Sequence, residues 1–185
     1  MTCIVAVRSS KGLYIGGDSA ATAGTMSQRT LRPKVFQNGA YLMGYTSSFR
    51  MGQVLEHVFQ PPEPSGGDLY AQMVAEFVPA VRACLKDAGF SKIENNEETG
   101  GQFLVATGGR IFEVEIDFSV LEMSEPFAAV GCGTEVALGA LHVFEKADRL
   151  DGYPREAIRA ALGASARFSG AVRPPFHVLA LRASK

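Results

Sequence analysis

Apolar residues alternate between two rhythms along this chain. Residues 3–8 (CIVAVR) and 13–17 (LYIGG) are β-rich runs around Ser9-Ser10-Lys11-Gly12, which predicts a hairpin. Residues 18–24 are small and polar and read as a loop. Residues 34–37 and 40–45 form a second pair of short strands around Asn38-Gly39, the strongest short-range hairpin signal. From Phe49 the spacing turns helical, with Met51, Val54, Leu55 and Val58 on one face, until Pro61, Pro62 and Pro64 stop it. A longer amphipathic helix is expected over residues 68–89. Leu69, Met73, Phe77, Val81 and Leu85 form its stripe, and Pro79 is expected to kink it.

Residues 91–101 (SKIENNEETGG) are polar and acidic, the composition of a mobile surface loop. Strands return at 103–106, 110–116 and 127–130. Gly131-Cys132-Gly133-Thr134 then opens a helix to about Lys146, with Thr134 as the expected N-cap. Pro154 suits the first turn of another helix over 155–167; Ser169-Gly170 ends it, and 176–182 closes the chain as a strand. Strands, two helices, strands, two helices and a strand predict two antiparallel sheets face to face with helices outside, an α+β layered sandwich. No internal repeat or linker interrupts the 185 residues, so a single domain over 1–185 is expected.

Composition narrows the function. The chain is 46% hydrophobic with a net charge of −1, so neither a nucleic-acid nor a membrane-surface partner is expected, and no apolar run approaches the length of a membrane span. Cys3, Cys84 and Cys132 form no C-x-x-C pair, and the N-terminus lacks a signal-peptide pattern, so they read as reduced cytoplasmic thiols. His57, His142 and His177 have no metal-ligand spacing; no metal or other cofactor is expected.

Thr2 is the candidate that chemistry favours. A residue this small lets methionine aminopeptidase remove Met1, leaving a threonine with a hydroxyl and a free α-amine. That amine has a pKa of about 7.7–8 and can serve as the base that a hydroxyl nucleophile needs. A nearby lysine lowers the amine's pKa, and a carboxylate holds the lysine in place. Asp18, after the second strand, and Lys34, at the start of the third, suit those positions.

The residues around these three resemble the proteasome β-subunit family, HslV-like peptidases in particular. TCIVAV is similar to the family's TTIVSV-like start. IGGDSAATAG resembles its G-D-x-x-A-T-x-G segment, with Asp18, Ala21, Thr22 and Gly24 in place. RPKVF resembles its K-K-V segment at Lys34, and AAVGCGTEVALGAL (128–141) its A-I-G-S-G-x-x-A-x-G segment; FLVATGGRIFEV carries a weaker similarity. Both spacings from Thr2 match the family without a gap.

The resemblance implies a four-layer αββα sandwich of the N-terminal-nucleophile hydrolase type and a threonine peptidase. Thr2 would attack the scissile carbonyl, its α-amine would shuttle the proton, Lys34 would tune that amine, and Asp18 would orient Lys34. A backbone N–H at Ser47 or Ser48, where the family has a glycine, would hold the oxyanion. The family's supporting serine is Cys132 here, a poorer hydrogen-bond partner. Its later serine matches Ser169, but its aspartate position is Ala166, which implies a weaker relay. The substrate pocket would lie near Ala21, Arg32, Phe36, Thr46, Ser47 and Arg50, and two arginines there would favour acidic side chains. Peptides or unfolded proteins would be substrates, homo-oligomeric rings the assembly, and a separate ATPase unfoldase a possible partner. A catalytically inactive scaffold subunit and a small-molecule amidase on the same fold are the alternatives.

Overall fold

The computed structural model describes residues 2–23, 26–90, 92–94 and 97–182. β1 (Cys3–Ser9) and β2 (Gly12–Gly17) form the expected hairpin, in register from Ile4 opposite Gly17 to Ser9 opposite Gly12. They lie in the middle of a four-stranded antiparallel sheet, with β12 (Phe127–Gly131) beside β1 and β13 (His177–Arg182) beside β2. A second sheet runs β11 (Val120–Glu122), β10 (Arg110–Val114), β9 (Phe103–Thr107), β6 (Tyr41–Tyr45), β5 (Val35–Asn38).

The uninterrupted apolar runs are explained by burial on both faces of each sheet. In β1, Ile4 and Ala6 point at the other sheet. Cys3, Val5 and Val7 point away from it, toward α4 (Thr134–Lys146) and α5 (Pro154–Phe168). In β9, Leu104 and Ala106 face the inter-sheet core, while Phe103 and Val105 face α1 (Phe49–His57) and α3 (Val78–Asp87). The layers are therefore helix, sheet, sheet, helix. Gly44 sits where the two sheets pack closely: a Cβ there would lie 2.5 Å from Cγ2 of Ile4.

Several expectations need correction. The stretch after Asp18 is not a loop: β3 (Ala20–Ala23) pairs with β4 (Met26–Arg29) in a separate hairpin. Its small residues show no apolar alternation, so the strand left no periodic signal; Gly24 lies outside the described residues. The acidic stretch likewise holds β7 (Lys92–Glu94) paired with β8 (Glu97–Thr99), while Ser91, Asn95 and Asn96 lie outside the described residues. Val58 is exposed; α1 ends at His57, and the next inward apolar side chain is Phe59.

Pro79 does not kink a plain α-helix. α2 (Leu69–Gln72) runs into a π-helical turn (Met73–Phe77) and then α3, with Pro79 in the first turn of α3. The Val78 N–H reaches back five residues to Met73, and this register shift absorbs the donor that proline lacks. Thr134 is the first helical residue rather than the cap: Gly133 takes the cap position, and Thr134 Oγ1 donates to the Gly131 carbonyl at 2.6 Å.

Candidate active site

Strand register brings the candidate residues together. The β1–β2 pairing, carried one step past Ile4–Gly17, sets Cys3 beside Asp18, whose N–H donates to the Cys3 carbonyl at 3.3 Å. On the other side of β1, Cys3 opposite Gly131 sets Thr2 beside Cys132. Val35 opposite Gly44 places Lys34 at the mouth of the second sheet, where its carbonyl accepts from Tyr45 N–H at 3.1 Å. The two sheets thus deliver Thr2, Asp18 and Lys34 to one point at their shared end.

Lys34 Nζ donates to Thr2 Oγ1 at 2.8 Å and to Asp18 Oδ1 at 2.9 Å. All three are buried, with Asp18 0% and Lys34 1% exposed. Asp18 is fully served: Oδ1 also accepts from Cys3 N–H (3.1 Å), and Oδ2 from the N–H groups of Ala20 (2.8 Å) and Arg173 (3.2 Å). Burial pushes the Lys34 ammonium below the usual lysine range, while the Asp18 carboxylate opposes that shift. Thr2 N is a peptide nitrogen here, acylated by Met1, and it donates to Cys132 Sγ at 3.3 Å. The same thiol contacts Thr2 O at 3.3 Å.

The outer support is thinner. Cys132 Sγ lies 4.0 Å from Ser169 Oγ, and Ser169 Oγ accepts from Ala171 N–H at 3.3 Å. Ala166 packs its methyl group into the core between helices and sheet, so no carboxylate arises at that position. Two residues missed in the sequence brace this corner. Arg173 donates from Nη1 to the Ser169 carbonyl (3.3 Å) and from its backbone to Asp18. Ser165, fully buried on α5, donates to the Gly133 carbonyl at 2.9 Å. Gly131 is required where it stands: its φ is 98°, and any Cβ there would collide with the Thr2 carbonyl.

The loop after β6 forms the opposite wall. Ser48 N–H donates to Thr46 O at 2.6 Å, a tight turn with Ser47 at its apex at φ 63°. Ser48 Oγ caps α1, accepting from the N–H groups of Arg50 (3.1 Å) and Met51 (3.4 Å). Gln102 ties the loop down. Its carbonyl accepts from Thr46 N–H (3.0 Å) and Oγ1 (3.1 Å), and its N–H donates to Ser47 Oγ (3.4 Å). Gln102 was invisible in the sequence because this contact depends on how β9 docks against β6.

A pocket of about 80 Å³ opens beside Thr2, lined by Thr22, Tyr45, Thr46, Ser47, Ser48 and Phe49. Of the residues expected there, Thr46 and Ser47 are present, while Ala21, Arg32 and Arg50 are not. Ala21 is half-buried on β3, Arg32 is exposed, and Phe36 is buried under α1 and α3. Arg50 turns away from Thr2, donates to the Ala88 carbonyl at 3.3 Å and lines a groove with Phe59, Ala80 and Cys84. Tyr45 and Phe49 form two further walls, with the Phe49 ring edge-on to Tyr45 at 6.1 Å. Among the described residues no group of three or more His, Cys, Asp or Glu is placed to hold a metal. Nor is any described helix long and apolar enough to cross a membrane.

No protein-family model matches the chain, and no curated protein matches it in sequence. Solved structures do match it in shape. Thiobacillus denitrificans BPH in complex with epoxomicin superposes with a TM-score of 0.82 at 22% identity, over 99% of this chain and 100% of that one. HslV from Trypanosoma brucei gives 0.67 at 15% identity over 98% and 99%. Anbu, an ancestral β-subunit, from Yersinia bercovieri gives 0.64 at 16% over 96% and 80%. The α+β sandwich built here is thus the proteasome-type N-terminal-nucleophile hydrolase fold.

Proposed function

We propose that the chain is a threonine-type peptidase that cleaves peptide bonds through Thr2 once Met1 has been removed. The observation that carries this reading is the Lys34 ammonium, buried and poised 2.8 Å from Thr2 Oγ1 with Asp18 behind it. Removal of Met1 turns the Thr2 nitrogen into an amine beside that cation. The positive charge lowers the amine's pKa and leaves a neutral base at neutral pH. The amine accepts the Oγ1 proton as the oxygen attacks the carbonyl. The tetrahedral oxyanion rests on a backbone N–H of the loop after β6. The C–N bond then breaks, the departing amine takes the proton, and water hydrolyses the acyl ester on Thr2.

Ser48 N–H already closes the turn onto Thr46, so Ser47 N–H is the better oxyanion donor of the two. Cys132 and Ser169 support the amine, and the thiol makes that relay weaker than a hydroxyl would. By the same resemblance the chain assembles into homo-oligomeric rings and takes peptide or unfolded-protein substrates, and any unfolding motor would be a separate ATPase chain. Intact-mass measurement, followed by hydrolysis of a fluorogenic peptide by wild type and Thr2→Ala, tests the reading. Loss of Met1 and abolition of cleavage in the variant are expected. Met1 retained on the native protein would favour the scaffold alternative.

A further inference from the structure

The pocket that touches Thr2 is small, and the reasons are specific to this chain. Its volume of about 80 Å³ is well below the roughly 300–1,000 Å³ of ordinary ligand pockets. It therefore suits a small side chain. Its inner wall cannot retreat. The Tyr45 ring is packed onto Gly52 of α1 so closely that a Cβ at Gly52 would overlap it. Tyr45 is 5% exposed, in the core beneath the helices. Phe49 closes the outer side, at 40% exposure.

The chemistry of the lining is equally definite. Thr22, Thr46, Ser47 and Ser48 line it and no arginine does; the hydroxyls of Thr46, Ser47 and Ser48 already serve Gln102 and the first turn of α1. Among the described residues Thr22 Oγ1 is buried with no hydrogen-bond partner, a state that costs free energy until a polar group arrives. Lys34 is the nearby cation and already serves Asp18 and Thr2. A basic side chain would face its like charge. An acidic one would lose its water for a cation that is already paired.

We infer that this pocket selects peptides with a small uncharged side chain (Ala, Ser or Thr) on the residue whose carbonyl Thr2 attacks, and that Phe49 sets the size limit. The inference rests on the reading of Thr2 as the nucleophile: a carbonyl held against Thr2 Oγ1 carries its own residue's side chain to this pocket. Thr22 Oγ1 pairs with the hydroxyl of Ser or Thr. The acidic preference expected from Arg32 and Arg50 is replaced.

The test is a series of fluorogenic peptides that differ only in the residue before the cleaved bond: Ala, Ser, Leu, Tyr, Glu or Arg. Met1-free wild type should cleave the Ala and Ser peptides about 10-fold or more faster in kcat/KM than the Leu and Tyr peptides, the discrimination that one or more surplus methylenes impose. Phe49→Ala should shrink the Ala-to-Leu ratio of kcat/KM by most of that factor. Thr22→Val, which keeps the volume and removes the hydroxyl, should lower Ser relative to Ala. Equal cleavage of Ala and Leu, preference for Glu, or an unrelaxed Phe49→Ala enzyme would overturn the inference. Should no peptide be cleaved, the peptidase reading fails on its own. The pocket is then read by the thermal shift produced by peptides ending in Ala, Ser, Leu or Tyr. Larger shifts with Ala and Ser would support the inference, and equal shifts would overturn it.

Discussion

Lys34 is the residue on which the site's electrostatics turn. It is a buried cation between a buried carboxylate and a hydroxyl, and removing one partner of such a pair strands the other. Lys34→Ala should therefore destabilise the fold by about 3–5 kcal/mol, measured by chemical denaturation, as well as abolish peptide cleavage. Gly131 is a second single-residue constraint. Gly131→Ala must strain a backbone at φ 98° and push on the Thr2 carbonyl. A loss of at least about 1–3 kcal/mol is expected, again by denaturation. Cys132 is the residue where chemistry could improve. Cys132→Ser offers the Thr2 nitrogen a stronger hydrogen-bond partner, and a gain of about 1 kcal/mol in the transition state would raise kcat about 5-fold. An unchanged or lower kcat would remove Cys132 from the relay.

At the scale of elements, the site is a product of strand ends. The Thr2, Asp18 and Lys34 trio was legible because hairpin register converts fixed spacings in sequence into proximity. The walls were not, because they depend on how separate elements dock. Arg50 follows the first turn of α1 away from the site, and Phe49 on that same turn faces it. Thr22 reaches the pocket on a strand whose small residues gave no periodic signal. Gln102 joins two regions of the second sheet. Its carbonyl holds the Thr46 loop, and its Nε2 donates to Glu113 Oε1 (2.8 Å) and Glu115 Oε2 (3.2 Å) on and just past β10.

Burial, then the hydrogen bond and charge of Glu115, raise the Glu113 carboxyl to about 7, while Gln102 opposes the rise. The folded chain thus keeps a proton that the unfolded chain releases near pH 4.5. This contribution to stability is full below that value and is lost as pH rises to about 7. Melting temperature should fall across that window, and Glu113→Gln should flatten the fall; an identical slope in the variant would refute the assignment.

At the scale of the whole molecule, the layered architecture was readable from the order of runs, because sheets buried on both faces produce apolar strands without alternation. Ring assembly rests on the resemblance and is checked by sedimentation: a six- or seven-fold multiple of the 19.7 kDa chain, single or doubled, is expected. A monomer would leave the active site open rather than enclosed. Leu31 and Phe168, 92% and 78% exposed in the isolated chain, are the first positions to check for burial in such an assembly.

The most direct measurement combines intact mass with turnover on the same native sample. A mass lacking Met1, together with peptide hydrolysis that Thr2→Ala abolishes without unfolding the chain, is the predicted result. Hydrolysis that persists in Thr2→Ala would contradict Thr2 as the nucleophile.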